Sequence, residues 1–147
     1  DLVICSDVLE HLDDKKAAAE ISRILKDNGI FIFSVPAHRY LWGPTDEISN
    51  HKRRYEKKEV ESLLRKDFDI VYLRYWNLIM FFPDLVFIKL LNLFNKKYEK
   101  KNALQFIPSF FNNLLYNLLR IENRFLIKFN NFQGVSIVGI ARKKNGK

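Results

Sequence analysis

Apolar and polar positions switch between two periods along this chain, and the switches mark out its elements. Leu2-Val3-Ile4-Cys5 is a short apolar run that stops at the polar pair Ser6-Asp7, the pattern of a strand feeding a turn. After Val8-Leu9-Glu10-His11-Leu12, apolar residues recur at Ala18, Ile21, Ile24 and Leu25, which predicts an amphipathic helix over Lys15–Lys26. Asp13 or Asp14 can cap its start, and Asn28-Gly29 supplies a stop. Ile30 to Val35 is an almost unbroken apolar run ending at Pro36, as expected of a strand covered on both faces in a parallel sheet. Strand, helix and strand with short connections make a βαβ unit with a right-handed crossover.

A polar loop is expected from Ala37 to Tyr55, long enough to suggest function. Helical spacing returns over Glu56–Lys66, with Val60, Leu63 and Leu64 facing inward, and Asp69–Trp76 is rich in the β-branched and aromatic residues of a strand. Leu78 to Phe94 is strongly apolar but interrupted by Pro83, Asp84 and Lys89, which argues against a membrane span of about 20 apolar residues. A helix over Pro83–Asn95 is expected instead, with proline in its first turn. Lys96 to Lys101 reads as an exposed connector, and Pro108–Asn130 as a second long helix with broad apolar coverage that includes Phe110, Leu118 and Leu126. The last element, Gly134–Ala141, is a strand expected to lie antiparallel to Asp69–Trp76 at the sheet edge.

At 147 residues, 48% of them apolar, the chain can bury the core of one domain and is not compositionally disordered. Its single cysteine, Cys5, can form no internal disulfide and reads as a small apolar side chain. The formal charge of +8 is uneven: the first 27 residues are acidic on balance, and Lys52-Arg53-Arg54, Lys96-Lys97, Lys100-Lys101 and Arg142-Lys143-Lys144 are basic clusters. Such clusters suit phosphates, anionic lipid surfaces or nucleic acid, or are solvated faces. A nucleic-acid role rests on charge alone, since no aromatic platform motif accompanies it.

The order of elements, together with DLVICSDVLEHLDD at residues 1–14, resembles the second half of the class I S-adenosylmethionine-dependent methyltransferases. There a V-L-E-H-hydrophobic-D stretch follows the fourth strand. Val35 to Tyr55 (VPAHRYLWGPTDEISNHKRRY) is similar to a bacterial and archaeal branch carrying V-P-A, L-W, an Asp and H-x-R-R-Y. That branch also has a Glu-Asn-Arg-like turn, here Glu122-Asn123-Arg124, and a final G-V-S-I strand. The resemblance implies an α/β fold: a partial Rossmann-like sheet, strands 4-5-7-6, with a helical cap inserted at 78–131. It implies one methyltransferase domain of which 1–147 is the C-terminal part. The first strand with its Gly-rich turn, and the acidic residue that grips the cofactor ribose, lie in the missing N-terminal half of the family pattern. The fragment alone is therefore expected to be inactive.

The resemblance implies S-adenosyl-L-methionine as cofactor, held along Cys5, Ser6, Asp7, Val8 and His11, although Ser6-Asp7 also suits a bare turn. Glu10 and His11 would lie at the mouth of the cleft, where a histidine near neutral pH can act as a base or simply bond the backbone. In the loop, His51 and Asp46 can share proton transfer, and His11 is the alternative base. Pro36, His38, Trp42, Arg53, Arg54 and Tyr55 are candidate contacts to the acceptor, with the arginines gripping a phosphate or carboxylate or else pairing with Asp46 or Glu47. The three histidines lie far apart without ligand spacing, so no metal is expected. The acceptor would be a small or lipid-linked molecule, with peripheral membrane contact through the lysine-flanked helices and a cytoplasmic or membrane-associated location. A non-catalytic membrane-surface or protein-interaction module that keeps the fold is the competing class.

Overall fold

The computed structural model describes residues 1–93, 109–125 and 133–145. Its elements follow in the order β1 (Leu2–Ser6), α1 (Asp14–Ile24), β2 (Ile30–Pro36), α2 (Pro44–Ile48), α3 (Lys57–Leu64), β3 (Phe68–Trp76), α4 (Leu78–Leu93), α5 (Ser109–Phe125) and β4 (Ser136–Lys143). Short 3₁₀ turns at Leu9–His11 and Arg39–Leu41 break the two long connections. The loop expected from Ala37 to Tyr55 is thus partly helical, with Pro44 opening α2.

The four strands lie in the order β1-β2-β4-β3, which is the 4-5-7-6 order the resemblance implies. β1 and β2 are parallel, with Leu2 opposite Ile30 and Ser6 opposite Ser34. β4 runs antiparallel to both β2 and β3, which puts it inside the sheet, with β3 as the edge. A parallel pair needs a crossover, and α1 supplies it. The Asp13 carboxylate accepts from Lys16 N–H and caps that helix, while the neighbouring Asp14 turns inward.

The core lies between the sheet and the layer made by α1 and α3. Phe31, Phe33 and Val35 of β2, Phe68 of β3, and Ile137 and Ala141 of β4 are buried against Ala18, Ile21, Leu25, Val60 and Leu64. Gly139 stands directly opposite Phe33, whose ring atom Cζ sits 2.3 Å from where a β-carbon would be, so the missing side chain makes room for the ring.

The opposite face departs in part from the expectation that β2 is covered on both sides. Ser34 of β2 and Arg74 of β3 are buried there, but toward β1 the face is open among the described residues: Leu2 is 53% and Ile4 65% exposed, and Ile30 and Ile32 are half-buried. A shallow apolar groove of about 330 Å³ runs across it between Ile4, Ile32, Tyr72, Trp76 and Val138.

α4 is a second correction, since it begins at Leu78 and carries Pro83 inside rather than in its first turn. The reason is tertiary: both oxygens of the buried Glu122 accept backbone N–H bonds, from Leu78 at 2.7 Å and Ile79 at 2.9 Å. Those bonds satisfy amides that a helix start otherwise leaves orphaned. Glu122-Asn123-Arg124, expected as a turn, lies within α5, and Asn123 accepts from the Trp76 indole. The Lys96–Lys101 connector and the end of the expected Pro108–Asn130 helix fall outside the described residues.

Candidate active site at the carboxyl end of the parallel strands

The site is built where β1 and β2 end side by side. Asp7 adopts a left-handed conformation (φ 50°), which Asp tolerates better than most side chains. Its N–H donates to both the carbonyl oxygen and Oγ of Ser34, each at 3.1 Å, and Ser6 Oγ lies 2.9 Å from Ser34 Oγ. Ser6, Asp7 and Val8 are exposed at this edge, while the Cys5 side chain packs toward the core. Burial, reinforced by the nearby Glu10, pushes the Cys5 thiol up, so it stays protonated.

From this turn the chain dips inward: Leu9 and Glu10 are buried and His11 is half-buried. The loop after α2 returns over the same spot because Lys52 N–H donates to the Glu10 carbonyl at 2.8 Å. That one bond brings His51 onto Glu10 and His11. The His11 and His51 rings meet edge to face with centroids 4.9 Å apart, and His51 Nε2 lies 3.9 Å from Glu10 Oε1.

Two buried carboxylates in this cluster have opposite environments. Asp46 is fully satisfied: Oδ2 accepts from Gly43 N–H at 2.9 Å, and Oδ1 accepts from Arg54 Nε and from His51 Nδ1, both at 2.8 Å. Burial works to raise its carboxyl, but these bonds from Arg54, Gly43 and His51 hold it below the usual carboxylate range. An ionised carboxylate can only accept, so His51 donates from Nδ1, and in the neutral ring this tautomer puts the lone pair on Nε2. Glu10, by contrast, has both oxygens buried with no hydrogen-bond partner among the described residues. Burial, aided by Asp7, pushes its carboxyl up, against the pull of His51 and His11.

The acceptor-contact candidates do not converge. His38 is buried, stacked between Tyr40 and Tyr75 at 4.8 and 4.6 Å, with Nδ1 3.4 Å from Glu56. Its burial lowers the imidazole, so it sits neutral inside an aromatic stack. Tyr55 is also buried and donates to Asp14 Oδ2 at 3.2 Å; burial and that carboxylate raise its phenol. Tyr55 N–H bonds the Pro36 carbonyl at 2.9 Å, which fastens the end of the loop to β2.

Arg53 bonds Asp14 and Glu59, each at 3.0 Å, and lies over the Tyr55 ring. Arg54 bonds Asp46 and the Ala37 carbonyl. Both arginines therefore fasten the loop. Arg54 pairs with Asp46 as the alternative reading of the sequence had it, whereas Arg53 takes Asp14 and Glu59 instead of Asp46 or Glu47. Trp42 remains half-exposed in an open groove that it shares with Arg39 and Lys52. Asp14 was missed as an anchor because an aspartate at a helix start reads as a cap.

Residues 1–33 match a family model described as a methyltransferase domain. The match covers β1, the Leu9–His11 turn, α1 and the start of β2. No curated protein matches the chain. Among solved structures it is similar to phosphoethanolamine N-methyltransferase 2 of Haemonchus contortus in complex with S-adenosyl-L-methionine. That likeness has 16% identity, a TM-score of 0.49, and covers 98% of this chain and 33% of that one. A second structure of that enzyme, with phosphomonomethylethanolamine and S-adenosylhomocysteine, gives 19% identity and a TM-score of 0.44, over 99% of this chain and 33% of that one. The chain thus spans about a third of the length of the solved structures it matches.

Proposed function

We propose that this chain is the C-terminal portion of an S-adenosylmethionine-dependent methyltransferase that acts on a small acceptor. The observation that carries this reading is the methyltransferase-domain match over residues 1–33, which falls on the strand and turn that bear Ser6, Glu10 and His11. S-adenosylmethionine supplies a methyl group already activated by a sulfonium. The protein's task is then to orient an acceptor and take its proton.

The residues present suit one wall of a cofactor site. Ser6, Asp7 and Val8 are exposed at the end of β1, where Ser6 Oγ donates to Asp7 Oδ2 at 3.3 Å and lies 2.9 Å from Ser34 Oγ; Cys5 would contribute its backbone alone. His11 flanks the same edge. His51 is the proton acceptor, with Asp46 fixing its tautomer and Glu10 beside Nε2. Trp42 contacts the acceptor, and Pro36, His38, Arg53, Arg54 and Tyr55 hold the loop that carries His51. Within the cap inserted at 78–131, α4 and α5 are the described part, and the rest lies outside the described residues.

The test is calorimetry with the full-length protein that contains this chain. Micromolar binding of S-adenosylmethionine is expected, and an absence of heat overturns the reading. Binding without methyl transfer to any acceptor would favour the non-catalytic module.

A lipid-linked acceptor or an anionic membrane surface is the finer reading. It is supported by Phe82, Val86 and Leu90, which are exposed at helical spacing along α4, and by Tyr116 and Ile121 exposed on α5. No helix among the described residues is long and apolar enough to cross a membrane. Co-sedimentation with anionic vesicles that fades as salt rises supports surface contact; indifference to vesicles removes it.

A further inference from the structure

The unsatisfied Glu10 poses a problem that the methyl-transfer reading does not solve. A carboxylate with both oxygens buried and unpartnered is costly, and it is relieved either by a proton or by a cation. What surrounds it decides between these. One donor atom from each of Glu10, His11 and His51 lies within 4.8 Å of the others, although the two histidines sit on separate segments of the chain. We propose that Glu10, His11 and His51 together bind one divalent first-row transition-metal ion, with Asp46 holding His51 in the ligating tautomer.

The donor set is two imidazoles and one carboxylate, which suits ions of the zinc and iron class better than calcium or magnesium. Ligand bonds of about 2.0–2.2 Å in a tetrahedron place donor atoms about 3.4 Å apart. The 3.9 Å between Glu10 Oε1 and His51 Nε2 needs a contraction of roughly half an ångström, and a donor separation at the 4.8 Å limit of the group needs about 1.4 Å, which requires the half-buried His11 to turn toward the ion.

Metal-bound histidines commonly donate their other ring N–H to a carboxylate, and the 2.8 Å bond from His51 Nδ1 to Asp46 supplies that support. Asp46 is itself held by Arg54 and the Gly43 N–H, so the orientation is fixed before any ion arrives. Glu10 is wholly buried while His11 and His51 are half-buried, which leaves the solvent side open for entry and for further ligands. Spacing along the sequence conceals the group, because the Lys52-to-Glu10 backbone bond assembles it in space.

The inference stands apart from methyl transfer, since it concerns an equilibrium measured without cofactor or acceptor. An ion on Nε2 removes that lone pair from proton transfer, so the metal-loaded form would hold an acceptor group on the ion's open face instead.

The experiment uses the full-length protein, stripped with chelator and titrated with Zn²⁺ by calorimetry and with Co²⁺ by visible absorption. One ion per chain is expected, with d–d bands for Co²⁺ and a raised melting temperature. Asp46→Asn should weaken binding by about 10–100-fold, and His11→Ala and His51→Ala by more than that. Cys5→Ala should leave affinity unchanged, which excludes a thiolate ligand. Glu10→Gln should abolish binding; circular dichroism of His11→Ala, a half-buried site, keeps the test valid should Glu10→Gln misfold. Less than one ion per chain, affinity indifferent to both histidine substitutions, or a melting temperature unmoved by metal overturns the proposal and leaves a proton as the partner of Glu10. Loss of S-adenosylmethionine binding with metal binding intact would refute the methyltransferase reading and spare this one.

Discussion

Two helical layers of this protein are held by different forces. α1 and α3 press their apolar stripes onto the sheet, so that Ala18, Ile21, Val60 and Leu64 disappear against Phe31, Phe33 and Phe68. α4 and α5 leave much of their apolar surface outside: Phe82, Val86, Leu114 and Tyr116 are each more than two-fifths exposed. Glu122 of α5 bonds the first amides of α4 and so joins the two helices to each other, while Asn123 accepts from the Trp76 indole and ties α5 to β3. Phe81 against His38, and Ile88 beside Gly43, add apolar contact with the loop. A core-forming layer stabilises the whole domain, whereas a layer with few buried contacts to the body is expected to open at lower cost.

The contrast also locates the chemistry. The hydrogen bonds that hold Asp46, Glu10 and His51 come from the loop and the turn after β1, while α4 adds the charge of Asp84 near Asp46 and Arg54. In the full-length protein, His51→Ala should lower the proposed methyl transfer by about 10²–10⁴-fold. Binding of S-adenosylmethionine should change little, whereas the melting temperature should fall modestly, because the His51 side chain is 15% exposed and bonds the buried Asp46. An equal loss of cofactor affinity would place His51 in the cofactor wall rather than beside the acceptor.

Phe33→Ala should destabilise the domain by about 3–5 kcal/mol in urea unfolding, since it empties the ring space facing Gly139. The converse change, Gly139→Ala, drives a methyl group into that ring and should cost about 1–3 kcal/mol. If the two together restore part of the loss, the ring and the glycine are one packing unit.

Glu122→Ala removes the acceptor for Leu78 and Ile79 N–H and should cost about 1–3 kcal/mol, confined to the α4–α5 pair. Hydrogen exchange should speed up at those two amides while the β2 amides stay protected. Loss of protection in β2 as well would show that the two layers unfold together.

Val86→Ser, on the exposed side of α4, should change stability by no more than about 0.5 kcal/mol. A larger loss would mean that α4 buries this face in solution.

Much of the body was legible in the sequence because its signals are local. The 3.6-residue recurrence of Ala18, Ile21 and Leu25 and the apolar run of Ile30–Val35 each report the burial of a single element. The start of α4 was not legible: Pro83 looks like a first-turn proline until Glu122, distant in sequence, caps the helix at Leu78. The exposure of Leu2 and Ile4 on the outer sheet face was hidden for a related reason. An apolar run such as Ile30–Val35 is the same whether its second face is covered or left open.

The candidate site divides the same way. Its residue types could be read along the chain, with Glu10 and His11 in one motif and Asp46, His51 and the arginines in the loop. Their partners could not. Arg53 and Arg54 carry the same charge and are adjacent, yet one is spent on Asp14 and Glu59 and the other on Asp46. The sequence by itself determined the strand and helix order and the stock of titratable groups, since periodicity and composition are properties of neighbours along the chain. Tertiary structure decided which carboxylate is satisfied and which is left wanting, because hydrogen bonds and charge pairs form by distance in space, and the turn at Asp7 and the Lys52-to-Glu10 bond set those distances.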